Sequence, residues 1–408
     1  MNKIRAGFIG AGFAANFHYE ALENSGISFA EPVGVYSKRR ESREKFAKVR
    51  DLKAFNSVES LLESVDVVHI CVPPALHEPM TVKALEHGVN VIVEKPFTGY
   101  FGPPAAQQEW RPEDSPGGSA GEKGSLSFTG STFPKEAMLK GALESAGKML
   151  NAEKKSKAAI YYAENWVFSP VIKKETEILR KTAAQILWIM AEESHSGSHS
   201  QTYGIWRYSG GGSIMGKGTH PLTAALYLKR IEGAARSGKA IRPLSVSART
   251  HEITRLPGYI DRGYLRTDYR DVEDYGFMHI TFEDGTVADI FSTEIVMGGV
   301  HNWLEVFANN HRTRCNINPI DAVETFNPKD EQFKDIYVVE KIGTKQGWNK
   351  PAPDENWMNG YVQEMHEFYT CMREGRKSFS SSELGYDTVN VIYSAYLSSE
   401  RNGREVKI

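Results

Sequence analysis

The chain has 408 residues, 40% of them hydrophobic and 25% charged, and its 49 basic and 51 acidic side chains leave a formal charge of -2. A balance this even argues against a general nucleic-acid or polyanion binder, and the length exceeds what one core usually supports, so two domains are expected. No stretch approaches the ~20 apolar residues of a membrane span, and the three scattered cysteines, Cys71, Cys315 and Cys371, lack metal spacing and fit a reducing, cytoplasmic setting.

The N-terminal stretch "MNKIRAGFIGAGFAA" has a basic start and a short apolar run. Gly7, Gly10 and Gly12 interrupt that run, so it does not read as a signal peptide. It reads as a short buried strand leading into a helix, with Gly10, Gly12 and Ala15 in G-x-G-x-x-A spacing. The first glycine permits the tight turn, the second lets a pyrophosphate approach the backbone, and the small third residue allows close helix packing. Phe13, Ala14 and Ala15 open the helix, whose free N–H groups would face the anion.

"FAEPVGVYS", "VDVVHICVP", "VNVIVEKP" and, later, "KAAIYYAEN" read as further strands, with helices in "RRESREKFAKV", "SVESLLESV", "HEPMTVKALEHG" and "KEAMLKGALESAGKML". Valine- and isoleucine-rich strands alternating with helices predict a parallel α/β sheet covered on both faces. At the second strand's end, Ser37, Lys38 and Arg39 stand where an acid would select NAD by binding the ribose 2′-hydroxyl. Nothing at Ser37 opposes a 2′-phosphate, which tilts the reading from NAD toward NADP. Glu94, Lys95 and Pro96 close the fourth core strand, at the carboxyl edge where open α/β sheets bind ligands.

Residues 99–134 are about half Gly, Pro, Ser or Thr and sustain neither helical nor strand period, so they read as an insertion within the first domain. Tyr100, Phe101, Trp110, Phe128 and Phe133 make the insertion aromatic-rich, which suits a flap over a ligand or a contact with a neighbouring subunit. The domains are expected at 1–165, for the dinucleotide, and 166–408, for substrate binding and oligomerisation. The second should be α+β with an open, mixed and mainly antiparallel sheet, given the strand signals in "AQILWIMAEESHS", "FMHITFEDGTVADIFST" and "NWLEVFANN". "YVQEMHEFYTCMREG" and "DTVNVIYSAYLSSERNG" are late helices, expected to pack back towards the first domain.

"ESHSGSHSQTYGIWRYSGGGSIMGKGTH" carries His195, His199, Tyr203, Trp206, Arg207, Lys217 and His220. Its aromatic faces and donors suit a sugar. His195 and His199 are spaced like a metal pair on a helix, but Gly197 and the serines break any helix there, so no metal is expected. The glycine-dense turn ahead of an apolar helical run requires close approach or unusual dihedrals.

Together, G-x-G-x-x-A with His18, "VPPALH", "EKP" and "GGGSIMGKGTH" resemble the glucose–fructose oxidoreductase, inositol dehydrogenase and rhizopine-catabolism (Gfo/Idh/MocA) family, over nearly the whole chain except 99–134. The resemblance implies a Rossmann domain, an NADP or NAD cofactor, and hydride exchange at a hydroxyl or keto carbon of a sugar, glycoside or polyol. It also implies that Lys95 and His220 act on the reacting hydroxyl, that Pro73, His77 and Asn165 line the nicotinamide end of the cleft, and that the chain forms a homo-oligomer, a dimer or tetramer. Some relatives use bound NAD for redox-assisted glycoside cleavage, and a cofactor-binding sensor is a further alternative. The chain departs from the family at Gly216, where many members carry an Asp that would orient the histidine. Another group must then hold His220, or it acts alone.

Overall fold

A computed structural model describes residues 3–103, 129–198, 200 and 203–408. The first sheet contains β1 (Ile4–Ile9), β2 (Ala30–Tyr36), β3 (Lys53–Ala54), β4 (Val67–Ile70), β5 (Asn90–Glu94) and β6 (Ile160–Ala163), in the order β3-β2-β1-β4-β5-β6. Every pairing in it is parallel. Its central strands are buried on both sides, as their unbroken apolar sequences require. Helices α1 (Phe13–Asn24), α2 (Arg40–Arg50), α3 (Val58–Leu62), α4 (His77–Glu86) and α5 (Lys135–Lys155) supply the crossovers. This order reverses between β1 and β4, which opens a ligand crevice beyond their carboxyl ends.

Helix α6 (Pro170–Thr182) leads to the second sheet, made of β7 (Ile186–Ser194), β8 (Pro243–His251), β9 (Tyr275–Phe282), β10 (Val287–Thr293), β11 (His301–Ala308) and β12 (Arg312–Asn318). Its order is β12-β11-β7-β10-β9-β8, and the C-terminal Val406–Lys407 adds a seventh strand beside β8. Only β7 and β10 run parallel; the other neighbours are antiparallel. The chain is therefore α/β, with a Rossmann sheet followed by an open, mixed and mainly antiparallel one. Strict alternation of buried and half-buried residues in β9 shows that one face of the second sheet is the core face.

Helix α7 (Thr219–Ser237) lies on that core face. The glycine-dense segment before it is only partly a loop: after a bend at 210–212, Ile214–Gly218 forms one turn of π-helix that runs directly into α7. The late helices, α8 (Tyr361–Glu374) and α9 (Ser382–Glu400), join the two sheets: α8 packs on α1, and α9 packs on both α5 and β8.

The two ends of the 99–134 segment are tied to the second sheet's side of the molecule. Tyr100 N–H donates to the Tyr393 hydroxyl at 2.6 Å, and Gly130 N–H to Asp271 Oδ2 at 2.8 Å. Phe101 is buried, whereas Trp110 and Phe128 lie outside the described residues.

Candidate active site

The cofactor cradle is built where β1 meets α1. Gly10 takes φ +111° and donates its N–H to the Tyr36 carbonyl at 2.8 Å, and a Cβ there would stand 2.2 Å from the Cys71 carbonyl oxygen. No other residue fits that turn. At Gly12 a Cβ would meet nothing within 4 Å, so the space above the first turn of α1 is open. No side chain caps that helix end, and its N–H groups remain available to an anion. Ala15 is buried against the sheet, while Phe13 stands 71% exposed at the rim and Ala14 is half-buried. These features fit a dinucleotide pyrophosphate. Ser37 is half-buried just past β2, with its carbonyl held by Arg43, and Lys38 and Arg39 are exposed beside it.

Lys95 follows β5 directly. Its ammonium donates to the Gly216 carbonyl at 2.9 Å, which brings it to the π-turn that precedes His220. Burial opposes its charge, but Tyr203 and the carboxylates of Glu193, Glu94 and Glu164 outweigh that and raise its pKa. Lys95 is thus a firmly charged donor.

His220 is 5% exposed, with Trp166 stacked on it at 6.1 Å. Its Nδ1 lies 2.5 Å from Glu164 Oε1. An ionised carboxylate can only accept, so Nδ1 carries the proton and Nε2 is left as the basic nitrogen. Glu164, just past the end of β6, thus holds the imidazole although position 216 carries no carboxylate. Gly216 has its own reason: a Cβ there would meet the Tyr203 ring at 2.5 Å. Glu193 Oε2 stands 4.0 Å from His220 Nε2. Burial raises the pKa of Glu193, against the pull of His220, Lys95 and Lys217.

The other expected site residues divide by place. Lys217 is fully buried and paired with Glu294, and burial lowers its pKa against that partner's pull. Glu94 binds the Lys95 N–H through Oε2 at 2.7 Å and His18 Nε2 through Oε1 at 3.1 Å. Pro73 is exposed at the mouth of the cleft. His77 is buried, with both ring nitrogens against carbonyls, Pro96 at 2.8 Å and Val72 at 3.0 Å, so it ties the two strand-end loops together from beneath. Asn165 donates to the Asn359 carbonyl at 2.7 Å. His195 uses Nδ1 to accept from Gly197 N–H at 3.1 Å. Trp206 is built into the core: its indole donates to the Tyr100 carbonyl at 3.0 Å and packs against Tyr396. Arg207 is buried beside the Tyr208 hydroxyl, 2.5 Å away. His199 lies outside the described residues. Among the described residues no group of three or more His, Cys, Asp and Glu could hold a metal ion.

Beneath the cleft, His18 Nδ1 lies 2.9 Å from His69 Nδ1, and His69 Nε2 lies 2.8 Å from the Tyr369 hydroxyl on α8. Burial alone would discharge His18, yet Cys71 and Glu94 beside it hold its pKa well above the usual value. His69 is held neutral by burial and by the His18 charge. Sequence reading singled out Tyr203 but not Glu164, Glu193 or Glu294. The available signal was an acid at the carboxyl end of a predicted strand, in "AEN" and again in "AEES".

A parallel 3-2-1-4-5-6 sheet with a glycine turn under an open helix terminus defines a dinucleotide-binding Rossmann fold. Residues 4–109 match the oxidoreductase family with NAD-binding Rossmann fold, GFO_IDH_MocA. UDP-N-acetylglucosamine 3-dehydrogenase of Acidithiobacillus ferrooxidans is 36% identical over 98 residues, 24% of this chain and 30% of that protein. Glucose-6-phosphate 3-dehydrogenase of Bacillus subtilis is 36% identical over 97 residues, 24% of this chain and 27% of that protein. The matched stretch thus spans under a third of these curated relatives. The fold extends further. The structure of GenD2 from gentamicin A biosynthesis, in complex with NAD, superposes with a TM-score of 0.75 at 20% identity, covering 100% of this chain and 97% of that one. The scyllo-inositol dehydrogenase of Lactobacillus casei gives 0.70 at 13% identity, covering 100% and 98%.

Proposed function

We propose that the chain is an NAD(P)-dependent oxidoreductase that exchanges hydride at a hydroxyl or keto carbon of a sugar, glycoside or polyol. The observation that carries this is the meeting of a charged Lys95 with the turn that presents a carboxylate-held His220, at the carboxyl edge of the Rossmann sheet. The activities of the two dehydrogenase relatives agree with it. When bound, the nicotinamide accepts or donates the hydride. Lys95 donates a hydrogen bond to the reacting oxygen and stabilises its developing negative charge. His220 Nε2 takes the hydroxyl proton, and Glu164 steadies the imidazolium that results.

Ser37, Lys38 and Arg39 favour NADP over NAD, because a 2′-phosphate would meet no carboxylate there. The outer face of the second sheet, with Trp188 stacked on Phe307 and Phe277 beside Phe291, supports self-association into a dimer or tetramer. Three free, buried cysteines accord with a cytoplasmic setting. Among the described residues no helix is long and apolar enough to cross a membrane.

The test is a panel of sugars, polyols and aryl glycosides, followed by nicotinamide absorbance and by aglycone release. Net cofactor turnover is the expected result. Aglycone release without net reduction would replace this reading with redox-assisted glycoside cleavage, and cofactor binding with neither would leave a sensor.

A further inference from the structure

Glu193 has no part in the proton transfer described above, yet it stands beside the nitrogen that performs it. Its side chain is 12% exposed, and Oε2, 4.0 Å from His220 Nε2, has no hydrogen-bond partner among the described residues. A carboxylate oxygen withdrawn from water without a donor is costly, and calls for an explanation. It is also not alone. Glu164 Oε2 and Glu294 Oε2, on side chains exposed by 0% and 1%, are in the same position. The cleft floor therefore holds acceptors that its own donors leave unfilled: the Lys95 ammonium is tied to the Gly216 carbonyl, and the Lys217 ammonium lies against Glu294 Oε1 without a hydrogen bond to Glu193 or Glu164. Such a floor takes hydroxyl or ammonium hydrogens and repels a phosphate or carboxylate.

The spacing adds a second constraint. His220 Nε2 and Glu193 Oε2 are two acceptors set apart by a distance that two neighbouring, gauche substituents of a ring can span. Resting on the oxidoreductase reading, we infer that the two form a two-point grip: the reacting hydroxyl on His220, and a hydroxyl or ammonium on the adjacent carbon on Glu193. The substrate class is then a ring vicinal diol or vicinal amino alcohol with no anionic group on that adjacent carbon. Glu193 is the residue that selects it.

The experiment uses the cofactor-loaded chain with myo-inositol, D-glucose, D-glucosamine and their monodeoxy analogues, by calorimetric binding and by turnover. For whichever probe binds best, removing the adjacent hydroxyl or amine should cost the parent roughly 10²-fold or more, because the site then keeps an unpaired acceptor. In Glu193→Ala the same removal should cost only a few-fold. Glu193→Gln separates the two donors: it keeps an acceptor for a hydroxyl but loses the charge that holds an ammonium, so only the amine-bearing probe should fall sharply. Cofactor binding by fluorescence confirms that both variants are folded. An unchanged preference in Glu193→Ala, a parent indifferent to the adjacent group, or no binding by any probe overturns the assignment. Binding with the expected preference but without turnover would sink the oxidoreductase reading and leave the grip standing.

Discussion

Lys95 and His220 were legible as residues because each stands at a position with a physical demand: a strand's carboxyl end, and a glycine-dense turn opening a helix. Their partners were not, because Glu164 and Glu193 reach the site only through tertiary folding, 56 residues away from His220 in the case of Glu164. Lys95→Met should lower turnover by roughly 10²–10³-fold, the usual cost of losing one donor to a developing oxyanion. Cofactor affinity, read by fluorescence titration, should barely change, and a variant with more than half the parent rate would remove Lys95 from the mechanism. Glu164→Gln keeps the shape of the Nδ1 contact but can no longer balance the charge of an imidazolium. We expect kcat to fall on the order of 10²-fold, a modest version of the loss seen when a histidine loses its carboxylate. Its KM for cofactor should hold, and the pH–rate profile should change shape. An unaltered profile would assign Glu164 to packing alone.

At the scale of elements, the parallel strands and the crossover helices α2 to α5 could be read from apolar runs alternating with helical periods. Strands β8 and β12 could not, since "PLSVSARTH" and "RTRCNIN" alternate weakly and carry charge on their outer positions. The π-turn at Ile214–Gly218 was invisible for another reason: no local pattern distinguishes it from a loop, and it is fixed by outside partners. Glu273, just ahead of β9, is one of them, accepting from Ile214 N–H at 2.9 Å and from Gly212 N–H at 3.1 Å. Burial lifts its carboxyl from 4.5 to about 7, against the pull of those donors and of Tyr396. A raised folded pKa means that its contribution to stability is full below the unfolded value and drains away as the pH climbs toward 7. The drain is on the order of 3 kcal/mol. Glu273→Gln should be less stable overall yet lose less on going from pH 5 to pH 8, which melting curves at both values would show; equal losses would refute it. At the end of β2, Ser37→Asp should weaken NADP(H) by roughly tenfold or more through like-charge contact, while NAD(H) is spared. Equal effects on both would place the ribose elsewhere.

The whole molecule is joined more tightly than a two-domain reading of the sequence implies. Amphipathic periods showed that the two late helices exist, and the structure shows that they weld the halves together, with Phe368 against Tyr161 and Phe168, and α9 bridging α5 to β8. The outer face of the second sheet remains the surface available for assembly. Phe307→Glu should reduce the particle mass seen by light scattering and leave cofactor affinity intact; an unchanged mass would take that face out of the interface. The polar line under the cleft has a consequence of its own. His69 is closed by Tyr369, a residue 300 positions further along the chain. A ribosome therefore finishes the six parallel strands long before it delivers the hydroxyl that completes the floor beneath them. During that interval the nascent Rossmann half has its glycine turn but an open buried histidine pair.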